Sequence, residues 1–190
     1  MTRAATPPTR MRFTRADYHR MAAAGIIPPD ARVELLDGEV IRMSPIGPTH
    51  SAAVALLDRF LQSNVGDRAL CRVQSPLALD EHSEPEPDLV LVRPRADSYR
   101  GAHPGPADVL LLIEVAESSV ALDRGQKATL YAQAGIQEYW LIDLTRNVLV
   151  VHRDPTGDRY ASAQEHDASA RVSPAAFADV VLELEQILSP

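Results

Sequence analysis

Residues 109–143 read VLLLIEVAESSVALDRGQKATLYAQAGIQEYWLID, and this stretch decides the fold class. Val109 to Val115 is an apolar run with no polar alternation, as expected of a strand covered on both faces. From Asp123 the spacing becomes helical: Asp123 and Gln126 resemble a capping-box pair, and Gly135 is placed to end the helix. Glu138 to Asp143 is again strand-like. Strand, helix and strand in succession mark an α/β protein.

The pattern extends in both directions. Upstream, Pro87-Asp88 opens the run Leu89, Val90, Leu91 and Val92, a second strand buried on both sides. Leu70 to Ser75 is a further strand. His50 to Asn64 spaces Val54, Leu57 and Leu61 at helical intervals. Before it, RVELLDGEVIRM (residues 32–43) places Asp37-Gly38 between two apolar-rich runs, a strong hairpin signal because both turn residues need positive φ. Strict alternation there sets Val33 and Leu35 on one face and Glu34 and Leu36 on the other. A short helix is expected from Phe13, with Thr14 as N-cap, Asp17 three residues on and Gly25 as the stop. Downstream, Val148 to His152 is a strand, Tyr160 to Gln164 a weak edge strand, and Leu182 to Leu188 a short helix. The expected architecture is a mixed central sheet flanked by helices, preceded by an N-terminal helix and a β-hairpin. Residues 1–12, rich in Pro and Thr, are expected to form a flexible N-terminus, and residues 13–190 one domain.

Composition narrows the function classes. The chain has 190 residues, 45% hydrophobic and 24% charged, ordinary values for a globular domain. Its single cysteine, Cys71, excludes an internal disulfide and suits a reducing cytoplasm. No run approaches the ~20 apolar residues that span a bilayer, and no membrane partner is expected. The net charge of −7 counts against a protein that coats nucleic acid, though not against an enzyme that gathers carboxylates around a cation. The histidines show no zinc-ligand spacing, and no Walker, Rossmann or nucleophile-elbow motif occurs.

Two carboxylates interrupt the apolar runs. Asp88 begins PDLVLV, and Glu114 sits near the end of VLLLIEV, where burial costs several kcal/mol unless the group is paired or holds a cation. Lys127 lies one helical turn past Asp123, so Asp88, Glu114 and Lys127 come from consecutive elements that could converge at one sheet edge. Carboxylate oxygens suit Mg²⁺ or Mn²⁺. Each residue also has a structural alternative. Pro87-Asp88 could be a turn, Glu114 could pair with Arg72, Lys127 and Asp123 could form a surface i,i+4 pair, and Glu34 could be solvated. His50 could reach a phosphate or metal, or cap its helix; a helix N-terminus there would depress its protonated form. Gln74 could orient a catalytic group or serve the fold, Tyr131 could cover the site or pack in the core, and Tyr139 and Trp140 could belong to the core or a dimer surface.

The ordered string ELLDGEVIRMSPIGPTH, EPEPDLVLV, LLIEVAESS and DRGQKATLYAQAGIQEYWLID resembles the Uma2 family of restriction-endonuclease-like proteins, part of the PD-(D/E)XK nuclease superfamily. The similarity runs from about Arg32 to Arg153. The resemblance implies a restriction-endonuclease-like αβββαβ core and a metal-dependent endonuclease acting on nucleic acid, DNA foremost, as a homodimer. It carries the first metal-binding aspartate onto Asp88 and the second acidic position onto Glu114, with the Val115 backbone carbonyl assisting. The superfamily's lysine would stand at Ala116; in the Uma2 pattern it has moved to the next helix, where Lys127 lies. Glu34 matches the early acidic position. The implied cofactor is Mg²⁺ or Mn²⁺. Two other expectations share these residues: a catalytically inactive nuclease-fold protein that binds nucleic acid or protein as a dimer, and a phosphohydrolase acting on small phosphate esters.

Overall fold

The computed structural model describes residues 10–188. The expectation of a flexible N-terminus falls mostly on residues 1–9, outside the described residues. From Thr14 the chain follows the sequence closely. Helix α1 (Arg15–Ala23) is capped by the Thr14 hydroxyl, and the Asp17 carboxylate returns the bond to the Thr14 N–H at 2.9 Å. Strands β1 (Val33–Leu36) and β2 (Glu39–Arg42) form the hairpin. Its turn holds Asp37 at φ 50° and Gly38 at φ 78°, the left-handed conformations that favour Asp-Gly. A side chain at Gly38 would also collide with Arg12, since a Cβ there would lie 2.6 Å from the Arg12 Cβ.

Helix α2 (Pro48–Val65) begins with a proline, which has no N–H to leave unsatisfied. It leads into the main sheet: β3 (Leu70–Val73), β4 (Leu89–Val92), β5 (Val109–Ala116), β6 (Glu138–Asp143), β7 (Val148–Thr156) and β8 (Arg159–Asp167). The six strands lie side by side in chain order. Only β5 and β6 run parallel; the other neighbours are antiparallel. That parallel pair requires a crossover, supplied by α3 (Val120–Leu122), a π-helical stretch at Asp123–Lys127 and α4 (Ala128–Gln133). The expected mixed sheet and the αβββαβ order, from α2 to β6, are present.

Alternation divides β5 between two cores. Leu111, Ile113 and Val115 face α2 and the C-terminal segment, with Leu57, Leu61, Trp140 and Leu182. Leu112 and Ala116 face α4 and the hairpin, with Leu36, Tyr131 and Tyr139. Each large apolar side chain so buried contributes roughly 1.5–3 kcal/mol. Glu114 belongs to the second row, and Asp88, just before β4, continues the row of Val90 and Val92. The site is built on that face.

Three local readings are corrected and one is extended. Asp123 is not an N-cap: the helix starts at Val120, and Asp123 is buried. Tyr160 to Gln164 is part of a nine-residue edge strand. Leu182 and Glu183 form a short strand β10 paired with β9 (Arg171–Val172), and only Glu185–Leu188, α5, is helical. Tyr139 and Trp140 are fully buried, which removes the dimer-surface reading. Trp140 is fixed by its Nε1–H donating to Glu138 at 2.9 Å, and the same carboxylate takes Arg153 and the Ala175 N–H.

Candidate active site

The antiparallel register pairs Leu89 with Ile113, and one further step sets Asp88 opposite Glu114. The Asp88 N–H points at Glu114 Oε2, 3.4 Å away, and the Val115 N–H donates to Asp88 Oδ2 at 2.9 Å. The strand ends therefore hold the two carboxylates against each other. Asp88 has two more anchors. His50 Nε2 lies 3.0 Å from Oδ2, and the Gln74 amide donates to Oδ1 at 3.2 Å. Gln74 stands just beyond β3 with φ 43°, and its backbone N–H bonds the Asp88 carbonyl at 3.0 Å.

Glu114 is anchored from the crossover. Lys127 Nζ donates to Oε1 at 3.0 Å and the Tyr131 hydroxyl to the same oxygen at 2.6 Å. Lys127 also lies 3.1 Å from Glu34 Oε2 and 3.8 Å from Asp123 Oδ1. Asp123 is held in turn by the Ser119 hydroxyl at 2.5 Å. A π-helical segment widens the turn that carries both Asp123 and Lys127, a deviation often found at functional sites. Glu34, 1% exposed, accepts the Glu86 N–H at 3.1 Å.

Asp88, Glu114, Lys127 and Glu34 are therefore brought together, with His50, Gln74 and Tyr131 as their direct partners. Several sequence alternatives fall. Lys127 and Asp123 are not a surface pair, since they are 3% and 2% exposed. Glu34 is not solvated. Arg72 does not pair with Glu114, and its Nε is buried without a partner. The His50 pKa is not depressed: the hydrogen bond that its Nε2 makes to the Asp88 carboxylate raises it, outweighing burial. Asp123 was missed as a member of the site. Its only sequence signal was the i,i+4 spacing to Lys127, which does not report burial.

The electrostatics are lopsided. Four buried carboxylates, Glu34, Asp88, Glu114 and Asp123, face one ammonium, Lys127. Burial pushes the Glu114 carboxyl up to about 8, against the pull of Lys127 and with the help of Asp123, Asp88 and Glu34. Burial also raises Asp123. The attraction of Glu114, Glu34 and Asp123 outweighs burial at Lys127 and holds it protonated. These residues line a cavity of about 300 Å³.

Among the described residues, no three His, Cys, Asp or Glu side chains cluster as a metal cage. Mg²⁺ does not require one, since it commonly takes one or two carboxylates and keeps its waters. A carboxylate offers about four lone-pair positions. Asp88 spends three, on Gln74, His50 and Val115. Glu114 spends two at Oε1, and Oε2 meets only the distant Asp88 N–H. Both keep capacity for a cation, so the donor set fits.

A mixed sheet with two facing carboxylates at adjacent strand ends, and a lysine above them, defines a restriction-endonuclease-like fold. The model of the Uma2 family, described as "Putative restriction endonuclease", matches residues 15–185, and the chain belongs to that family. A solved structure from Anabaena variabilis ATCC 29413, described as a putative nuclease belonging to DUF820, is similar with a TM-score of 0.71. The match covers 93% of this chain and 98% of that one at 20% identity, a likeness that speaks for the fold alone. No curated protein matches. The family's description points to a restriction-endonuclease-like nuclease. No described helix is long and apolar enough to cross a membrane.

Proposed function

We propose that this protein is a divalent-metal-dependent endonuclease that hydrolyses phosphodiester bonds, with DNA as the substrate. The observation that carries this reading is the excess of carboxylate over cation at the cavity floor, where Asp88 and Glu114 both retain unused lone pairs. Asp88, Glu114 and the Val115 carbonyl would hold Mg²⁺ or Mn²⁺; the Val115 N–H already faces Asp88, and a strand residue's carbonyl leaves toward the same neighbour as its N–H. Bound there, the ion would supply Lewis acidity, making a water acidic enough to attack at neutral pH and offsetting charge on the phosphate.

The chain's own groups do the rest. The Lys127 ammonium is fixed by Glu114 and Glu34, with Asp123 at 3.8 Å, and its remaining donor can orient the attacking water or a phosphoryl oxygen. Tyr131 keeps Glu114 aimed at Asp88, while His50 and Gln74 fix the plane of the Asp88 carboxylate. Glu34 keeps Lys127 charged. Ala116, where the superfamily carries its lysine, is fully buried beside Ala128, and the ammonium reaches Glu114 from the helix above.

The test is incubation with supercoiled plasmid, linear duplex, single strands and RNA in Mg²⁺, Mn²⁺ or EDTA, with Asp88→Asn and Glu114→Gln alongside. Metal-dependent cleavage lost in both variants is expected. Binding without cleavage would favour the inactive dimeric reading. Hydrolysis of small phosphate esters alone would favour a phosphohydrolase.

A further inference from the structure

The cavity poses an electrostatic problem for an anionic substrate. Its floor is acidic, and Glu86 and Glu117 add carboxylates to its walls. Lys127 is already shared among Glu34, Glu114 and Asp123. The remaining cationic side chains in the lining are Arg32 and Arg42, besides His50, which is bonded to Asp88.

These two arginines stand at the open end of the hairpin, in neighbouring cross-strand pairs, and both belong to the cavity lining. Arg42 pairs with Val33, and the Met43 N–H bonds the Arg32 carbonyl at 2.9 Å. Most basic residues of the N-terminal region are neutralised: Arg10 by Glu39, Arg12 by Asp37, Arg15 by Glu84 and Arg20 by Asp17. Arg32 and Arg42 have no carboxylate within ion-pair distance among the described residues. Arg32 donates only to the Ser44 carbonyl, at 2.9 Å. Arg42 is exposed.

The cavity is also small. At about 300 Å³ it lies at the small end of ligand sites. Gly47 meets Glu117 in its wall so tightly that a Cβ at Gly47 would sit 2.8 Å from the carboxylate. Apolar groups line it from two segments, Pro45 and Ile46 before α2 and Ala121 and Leu122 in α3. Ile46 is 42% exposed. Apolar walls with a basic rim suit one unstacked base and its phosphate, whereas a duplex keeps its base faces covered.

We propose that Arg32 and Arg42 grip the backbone phosphate of a single nucleic-acid strand, seating one nucleotide between the apolar walls with the neighbouring phosphate over Asp88 and Glu114. This deepens the nuclease reading and rests on it for the meaning of the floor. The arginines are positioning residues, acting on the strand rather than on the reacting atoms.

The test is fluorescence anisotropy with a labelled oligothymidylate and a blunt duplex of the same length. It is run in Ca²⁺ over a salt series, with cleavage kinetics in Mg²⁺. The expected result is binding to the single strand at least about tenfold tighter than to the duplex. Arg32→Ala/Arg42→Ala should weaken it at least tenfold and reduce the salt slope by about 0.7, for the one phosphate no longer neutralised. KM should rise while kcat holds, and the double lysine variant should keep most of the affinity. Arg159→Ala, at the far sheet edge, should bind as the parent does. Unchanged binding by the double alanine variant, or a duplex bound as tightly as the strand, would overturn the proposal. Arginine-dependent strand binding without cleavage in any metal would sink the nuclease reading and leave this one standing; cleavage indifferent to both arginines would do the reverse.

Discussion

Lys127 Nζ lies 3.0 Å from Glu114 Oε1 although they are 13 positions apart in the chain. Glu114 and Ala116 share one face of β5, so a lysine at the latter position would project into the same space from below. The chain fills that space from above. A methyl group at Ala116 packs against the crossover, and the ammonium descends from the π-helical stretch beside α4.

Moving the lysine back tests whether its place in space, rather than in sequence, matters. Lys127→Ala is expected to lower kcat by roughly 10²–10³-fold, the scale for losing one group that stabilises developing charge. It should also destabilise the protein by about 3–5 kcal/mol, because buried carboxylates lose their counter-ion. Ala116→Lys combined with Lys127→Ala should recover part of the rate. Single-turnover cleavage with denaturant melts separates the two effects; a double variant no faster than Lys127→Ala would show that Glu114 needs the ammonium from the helix.

The metal-free protein should become less stable as pH rises through neutrality. Glu114 has its pKa raised from 4.5 to about 8, so the folded state holds a proton that the unfolded chain has released. This stability is complete below the unfolded value and is lost as pH passes the folded one. His50, raised by Asp88, acts in the same direction. Melts in EDTA should give a higher Tm at about pH 5.5 than at about pH 8. Glu114→Gln should flatten the difference, and Mg²⁺ should reverse it because the ion takes the proton's place. A wild-type Tm that climbs with pH in EDTA would contradict this.

Asp88 is gripped by His50 and Gln74, and partners of metal-binding carboxylates typically affect affinity by about 10–100-fold. His50→Ala and Gln74→Ala should each weaken Mn²⁺ binding by about tenfold with the fold intact. Calorimetric titration reads this directly; unchanged affinity in both would assign the two side chains to packing alone.

Tyr131→Phe removes only the hydroxyl that donates to Glu114 at 2.6 Å. A hydrogen bond to a charged group contributes about 1.5–3 kcal/mol, so the loss should be of that order with Mn²⁺ bound and smaller in EDTA. Equal losses in both states, read by chemical denaturation, would mean that the bond does not serve the ionised carboxylate.

Much of this was legible in the residues. Apolar runs uninterrupted by alternation announced β4 and β5, and Asp37-Gly38 announced the hairpin with both residues at positive φ. The isolation of Asp88 and Glu114 among apolar neighbours marked the pair of carboxylates that the strand ends bring together. Long-range relationships were not legible. Nothing local to Glu34 says that it is sealed by Glu86 and Lys127, and Asp123 reads as a cap because capping and burial draw on the same side chain. The direction of the His50 shift was misjudged for a related reason: the helix end is visible in sequence, whereas a carboxylate 38 positions away that raises its pKa is not. The C-terminal strand β10 was missed because two residues carry no periodicity.

The most direct measurement is a crystal structure of the protein in saturating Mn²⁺ with the anomalous signal recorded. One ion should appear between Asp88 and Glu114, about 2.0–2.2 Å from an oxygen of each, and should vanish in Asp88→Asn. An ion elsewhere, or none at that place while Lys127 still bridges Glu34 and Glu114, would contradict a metal-dependent nuclease built on these two strands.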